Sequence, residues 1–178
     1  MTQAESEIRA LAEKRHLPAA HLERWIGTDA DSRDAIMEFA RTLGLRTGQI
    51  VEALDLLDEI SVRERAEIAG VLARPALARL LTSAGSRPDR ARDFVAELRR
   101  MRYPRLAELS RRLDSEIAAL KLPASIRVVL PPRLGSDELT LQITVSSAGA
   151  LDRALETISN RRESIARIIE MLGGKDEV

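Results

Sequence analysis

Residues 126–145, IRVVLPPRLGSDELTLQITV, carry a period of two in a chain that otherwise repeats with the period of a helix. Ile126, Val128 and Leu130 alternate with Arg127 and Val129, and Leu139, Leu141, Ile143 and Val145 alternate with Thr140, Gln142 and Thr144. Successive side chains of a strand point to opposite faces, so this pattern describes two strands with one apolar and one polar face. Two strands alone are marginal in water, and their edges are templates for further pairing. The connecting PPRLGSDE is too long for a tight turn to set the register. Such a sheet needs helices over its apolar face and either a small self-contained fold or a second copy at its edge.

Helical punctuation surrounds it. Residues 3–16 form a first helix. Pro18 opens a second that Gly27 ends, and TDADSRDAIMEFARTLG forms a third, capped by Asp29 or Asp31 and stopped by Gly44. Thr47 caps a fourth helix, and Ser61 with Glu64 makes a capping box for a fifth, which Arg74-Pro75 breaks. TSAGSRPD, residues 82–89, is the clearest linker. After it a helix repeats Ala91, Phe94, Val95, Leu98 and Met101, Pro104 interrupts, and a further helix carries Leu106, Leu109, Leu113, Ile117 and Leu120. A last helix covers residues 148–172, with Leu151, Leu155, Ile158, Ile165, Ile169 and Leu172 spaced as a heptad seam around Arg162. The same residues equally suit an amphipathic helix lying on the domain's own core.

The fold class that follows is mainly α: an N-terminal helical bundle over residues 1–84, then residues 85–178 with a basic helix and a small α-β-β-α unit. Its two-stranded antiparallel sheet is completed by dimerisation. Ile126, Val128, Leu141, Ile143, Leu155 and Ile165 are the residues expected at the dimer contact. At 44% apolar and 31% charged the chain is globular, and at 2% aromatic its core rests on aliphatic side chains. No cysteine is present, which excludes disulfides and thiolate chemistry. No apolar run is long enough to span a bilayer, and the polar start MTQAESEIRA is unlike a signal peptide, so no membrane partner and a cytoplasmic location are expected. The initiating Met and the polar tail GGKDEV read as a whole natural protein.

Net charge is zero but unevenly spread. Residues 1–60 carry 7 basic and 12 acidic residues; residues 86–112 carry 9 and 4, and all nine are arginine. A block of that kind points to an anionic partner such as DNA. Glu97 lies within helical reach of Arg100, and Glu108 of Arg111 and Arg112, whereas Arg99 and Arg102 have no acid three or four residues away. Were one helix to run through Pro104, Arg92, Arg99, Arg102 and Arg105 would form a row that Arg112 extends. With Arg87 these are the expected phosphate contacts, because guanidinium forks suit phosphate oxygens. A solvated, arginine-rich helix surface accounts for the same residues.

Other chemistry lacks its motifs. His16 and His21 are separated by Pro18 and have no HExxH-like ligand set. TDADSRD lacks the glycine and terminal glutamate of a calcium loop, and helix capping explains its acids. Asp55, Asp58 and Glu59 read as a solvated helix end. LRTGQ and SAGSR match no phosphate loop. Residues 61–83 lack the turn of a helix-turn-helix. No enzyme, metal or cofactor is expected.

Two segments, LGLRTGQIVEALDLLDEI and RYPRLAELSRRLDSEIAALKLPASIRVVLPPRLGSDELTLQITV, resemble the C-terminal half of ParB-like partition proteins over roughly residues 35–160. The resemblance lies in element order and pattern. It implies a helical DNA-binding region followed by a dimerisation module. These 178 residues contain no nucleotide-binding clamp with its Arg-rich box, no clear helix-turn-helix and no Lys-rich terminal module, so no individual site residue carries over. The expected function is a homodimeric, non-enzymatic DNA-organising accessory protein. The rival is an adaptor that binds another protein through its acidic bundle and open strand edge.

Overall fold

The computed structural model describes residues 2–131 and 138–173, which form ten helices and one two-stranded sheet. Local signals set most helix ends. Thr2 and Glu5 exchange hydrogen bonds with each other's backbone to open α1 (Gln3–Arg15). After α2 (Ala19–Ile26), Asp29 caps α3 (Ala30–Leu43) by accepting from the Ser32 N–H at 2.8 Å. Gly44 ends α3 at φ +65°, a left-handed conformation that costs glycine little.

Two expectations fail at α4 (Thr47–Glu64). Arg46, not Thr47, is the cap residue, and the Thr47 hydroxyl donates instead to the Arg15 carbonyl. Ser61 and Glu64 open no new helix, because α4 runs through both and ends at Arg65, φ +51°. Ile50, Leu54, Leu57 and Ile60 form one buried stripe that ends just before Ser61, and a last turn with Val62 75% exposed carries the helix on. The Ser61 hydroxyl donates to the Ala66 carbonyl at 2.5 Å. The short α5 (Ile68–Leu72) and α6 (Pro75–Thr82) follow, with Ile68, Val71, Leu72, Leu77 and Leu80 all buried. Ser86 then caps α7 (Arg87–Arg102).

The chain divides into two compact units, Met1–Tyr103 and Pro104–Val178, so the boundary lies after α7 and not at residue 84. Ala91, Phe94, Val95 and Leu98 explain the shift. All four are buried in the core of the first unit, where α7 packs on α3, α4 and α6. Each large apolar side chain buried there contributes roughly 1.5–3 kcal/mol, which outweighs a linker-like composition at 82–89. Trp25 is fully enclosed in the same core, and the Phe39 and Phe94 rings stack at 4.9 Å.

One polar side chain, Ser32, is fully buried in this unit. Its Oγ accepts from the Ala69 N–H at 3.0 Å, so a residue of α3 caps the start of α5. Ser32→Ala leaves that N–H without an acceptor in an apolar surrounding. A loss of about 1–3 kcal/mol is expected in urea unfolding; an unchanged midpoint would mean the bond contributes nothing.

The second unit contains α8 (Pro104–Ala119), β1 (Ile126–Val129), β2 (Thr140–Ile143), α9 (Ala148–Asn160) and α10 (Arg162–Leu172). The strands are antiparallel and pair Ile126 with Ile143, Arg127 with Gln142, Val128 with Leu141 and Val129 with Thr140. The expected apolar face is therefore Ile126, Val128, Leu141 and Ile143. Residues 132–137 of the connecting PPRLGSDE and residues 174–178 of the tail lie outside the described residues. Among the described residues the central cluster buries Leu113, Leu120, Ile165, Ile168, Met171 and Leu172, with Val128 and Leu141 packed partly against it.

The single helix expected over 148–172 is two helices, interrupted at Arg161 (φ −108°, ψ 8°). The polar run Asn160-Arg161-Arg162 fills the gap between Ile158 and Ile165, so no apolar contact holds the helix straight there. Past the break, α10 packs on α8. The heptad seam does not form as one helix; Ile165 and Leu172 are buried in the unit's own core, and Leu155 stays 51% exposed.

Candidate functional site

The acidic first third and the basic middle block of the sequence meet along the α4–α7 packing. The inward stripes of the two helices bring their flanking charges into register. Arg99 Nε donates to Glu52 Oε1 at 2.5 Å, and Arg102 pairs with Glu59. Neither arginine has an acid three or four residues away, and their partners lie 47 and 43 residues away in sequence. The Arg102 guanidinium also sits 4.8 Å over the Tyr103 ring. Asp55 and Asp58 are likewise not a bare helix end: Arg24 of α2 pairs with both, and His21 Nε2 lies 3.4 Å from Asp55.

The other expected phosphate contacts fare differently. Arg92 pairs with Asp89, and Arg112 is not free either. Arg87 and Arg105 have no ion-pair partner among the described residues. Because α7 ends at Arg102 and α8 begins at Pro104, one helix does not carry the row; Arg87, Arg92, Arg99 and Arg102 belong to the first unit and Arg105 and Arg112 to the second. Exposed pairs of this kind contribute about 0–1 kcal/mol each. Their larger consequence is local neutralisation of charge that an anionic partner would otherwise meet.

The end of α7 is tied to α4 by a residue that local spacing does not reveal. The Arg63 guanidinium donates to the carbonyls of Met101, at 2.6 Å, and Arg102, and it also pairs with Glu64. A cation on the last carbonyls of a helix suits its dipole. Glu64 joins Arg63 to Arg74, and hydrogen bonds from Arg74 first and Arg63 second hold its carboxyl below the ordinary glutamate pKa. A depressed folded-state pKa contributes stability that is present above the unfolded value and is lost as pH falls through the folded one. Glu64→Gln is therefore expected to lower stability at neutral pH and to flatten its decline on acidification. Matched urea titrations of both proteins from neutral to acid pH check this; parallel curves would contradict it.

In the second unit the expected contact residues separate by burial. Ile126 and Ile165 are buried, Val128, Leu141 and Ile143 are half-buried, and Leu155 is exposed. The Thr144 N–H donates to the Ser125 carbonyl at 2.8 Å. By the alternation of an antiparallel ladder, Arg127/Gln142 and Val129/Thr140 are then the hydrogen-bonded pairs. Leu141 and Ile143 direct their backbone N–H and C=O groups away from β1, toward an edge with no partner strand among the described residues. Val129, Val145, Leu151 and Leu155 are exposed in the same unit, at 36%, 38%, 39% and 51%.

Among the described residues no three histidines or acids come together as a metal site, and no helix is long and apolar enough to cross a membrane. Comparison with protein-family models, curated proteins and solved structures finds no match.

Proposed function

We propose that the protein is a non-enzymatic assembly protein whose second unit joins a second copy through the free edge of β2. The outward backbone groups of Leu141 and Ile143 carry this reading. Pairing β2 with its twofold mate gives a four-stranded sheet in the order β1-β2-β2-β1, past the size at which a two-stranded sheet is marginal. The small central cluster and the exposed Leu151 and Leu155 support the same reading, since a unit with so few buried side chains gains stability by association. The ParB-like element order, helices followed by a dimerisation module, agrees with it. Sedimentation equilibrium is expected to show a dimer at micromolar concentration; a monomer at about 100 μM sinks the proposal.

A DNA-organising role is the second reading, favoured by Arg87 and Arg105, which a dimer would present twice. Duplex binding that weakens steeply with salt, and further in an Arg87→Ala/Arg105→Ala variant, would support it. No binding at low salt would end it.

A further inference from the structure

We propose that the first unit holds a site for a small ligand bearing two or more phosphate groups, in the cleft where α1 ends and α4 and α7 begin. The cleft has a volume of about 870 Å³, and its charged lining is Arg15, Arg46, Arg87, Arg92, Glu52 and Asp89. That volume lies in the range of small-molecule sites. Both acids are already committed. Asp89 pairs with Arg92 and accepts from the Ser86 hydroxyl at 2.5 Å, and Glu52 accepts from Arg99. Arg15, Arg46 and Arg87 have no carboxylate partner among the described residues. Along the α4–α7 packing, by contrast, Arg99 and Arg102 are matched by Glu52 and Glu59 of the facing helix. Three guanidinium groups around one concavity repel each other and lack a counter-charge from the protein. A ligand with two or three negative charges supplies it, and guanidinium forks recognise phosphate oxygens in pairs.

The backbone holds the three arginines in place. Arg15 is half-buried with its Nε shielded from water, and the Thr47 hydroxyl bonds its carbonyl, tying the end of α1 to the start of α4. Arg46 sits at the cap of α4, its own N–H held by Gln49 Oε1 at 3.0 Å. Open space surrounds the position of a Cβ at Gly48, in the first turn of α4, so an anion can approach that positive helix end closely. Arg87 Cδ lies 3.8 Å from where a Gly44 Cβ would stand, so this side chain runs beside the end of α3.

The concave shape separates this site from a track for duplex DNA. A duplex presents a regular row of phosphates, and a protein following it needs positive charge continued along the contact. Further along α7 that charge is met by Glu52 and Glu59. At the start of α7 it is not met, and there Arg87 lines the cleft.

Calorimetry on the intact protein at fixed ionic strength tests the assignment, with inorganic pyrophosphate and ADP as probes. Binding with a Kd of about 100 μM or tighter is expected. Arg46→Ala and Arg87→Ala should each weaken it at least about tenfold, and Arg87→Lys severalfold, because the charge stays but the fork is lost. Arg100→Ala removes the same charge from a side chain paired to Glu97 outside the cleft, and should leave affinity unchanged. Thermal unfolding of each variant verifies folding, and Arg87→Lys keeps the test decisive if an alanine variant does not fold. ADP binding more tightly than pyrophosphate assigns a nucleotide; equal affinities assign the phosphates alone. No pyrophosphate or ADP binding at about 1 mM, equal weakening by Arg100→Ala, or binding of duplex DNA but of neither probe, overturns the proposal. A monomeric protein would leave it standing, since the cleft lies within the first unit.

Discussion

Phe94→Ala is expected to destabilise the first unit by about 4 kcal/mol, the largest loss foreseen for a single substitution in this chain. Phe94 is 1% exposed and stacks on Phe39 with ring centroids 4.9 Å apart and planes 25° from parallel. Its neighbours include Ile36, Leu45, Ile50, Leu57 and Leu72, which with Phe39 line a small apolar void beside it. Truncation enlarges that void with no polar group to hold water, so the transfer cost and the cavity cost add. The aromatic pairing, roughly 0.5–1.5 kcal/mol beyond area, is lost as well. Phe94→Leu, closer in volume, should cost about 1.5 kcal/mol. Urea unfolding of the three proteins measures this. A loss under about 1 kcal/mol for the alanine variant would mean that α7 is not anchored in the core, and would return the boundary to residue 84.

Ile143→Pro is expected to weaken the dimer by two orders of magnitude or more in Kd. The Ile143 N–H faces away from β1, because Ile126/Ile143 is a pair that exchanges no backbone bonds. Proline at that position leaves the β1–β2 ladder its bonds and removes a donor from the outer edge. A twofold contact loses the donor twice. At about 1–1.5 kcal/mol for each bond, the sum is roughly 3 kcal/mol, or a hundredfold in affinity. Arg127→Glu, on the polar face, is the matched control and should leave association intact. Sedimentation equilibrium of both variants gives the comparison. If Ile143→Pro still dimerises like the parent protein, association does not use this edge, and the exposed Leu151 and Leu155 become the contact to test.

The reach of local sequence signals explains which expectations held. Asp29, Gly44 and Pro75 act on backbone groups within a few residues, and each sits at the helix end where its chemistry places it. The alternation in 126–145 acts across one strand, and both strands and their apolar face are present. Ser61 and Glu64 carry an equally good local signal that fails: α4 runs through both, and their side chains bond the Ala66 carbonyl and the Arg63 and Arg74 guanidinium groups instead. The break at Arg161 shows the converse: spacing across 151–172 suits a seam, but only contact with α8 decides where Ile165 and Leu172 turn.

By itself, the sequence determines the order of elements and the face each one buries, since caps and periodicity work over one or two turns. Tertiary structure decides what the charges mean. Glu52 and Arg99, or Glu59 and Arg102, become neighbours only because Leu54 and Leu57 of α4 and Phe94 and Leu98 of α7 are buried in one core. Screening limits an exposed charge to groups within about 10 Å, so whether an arginine is matched depends on which helix packs beside it. Packing matched Arg99 and Arg102 of the basic block to acids of α4, and left Arg87, beside Arg15 and Arg46, unmatched at one cleft.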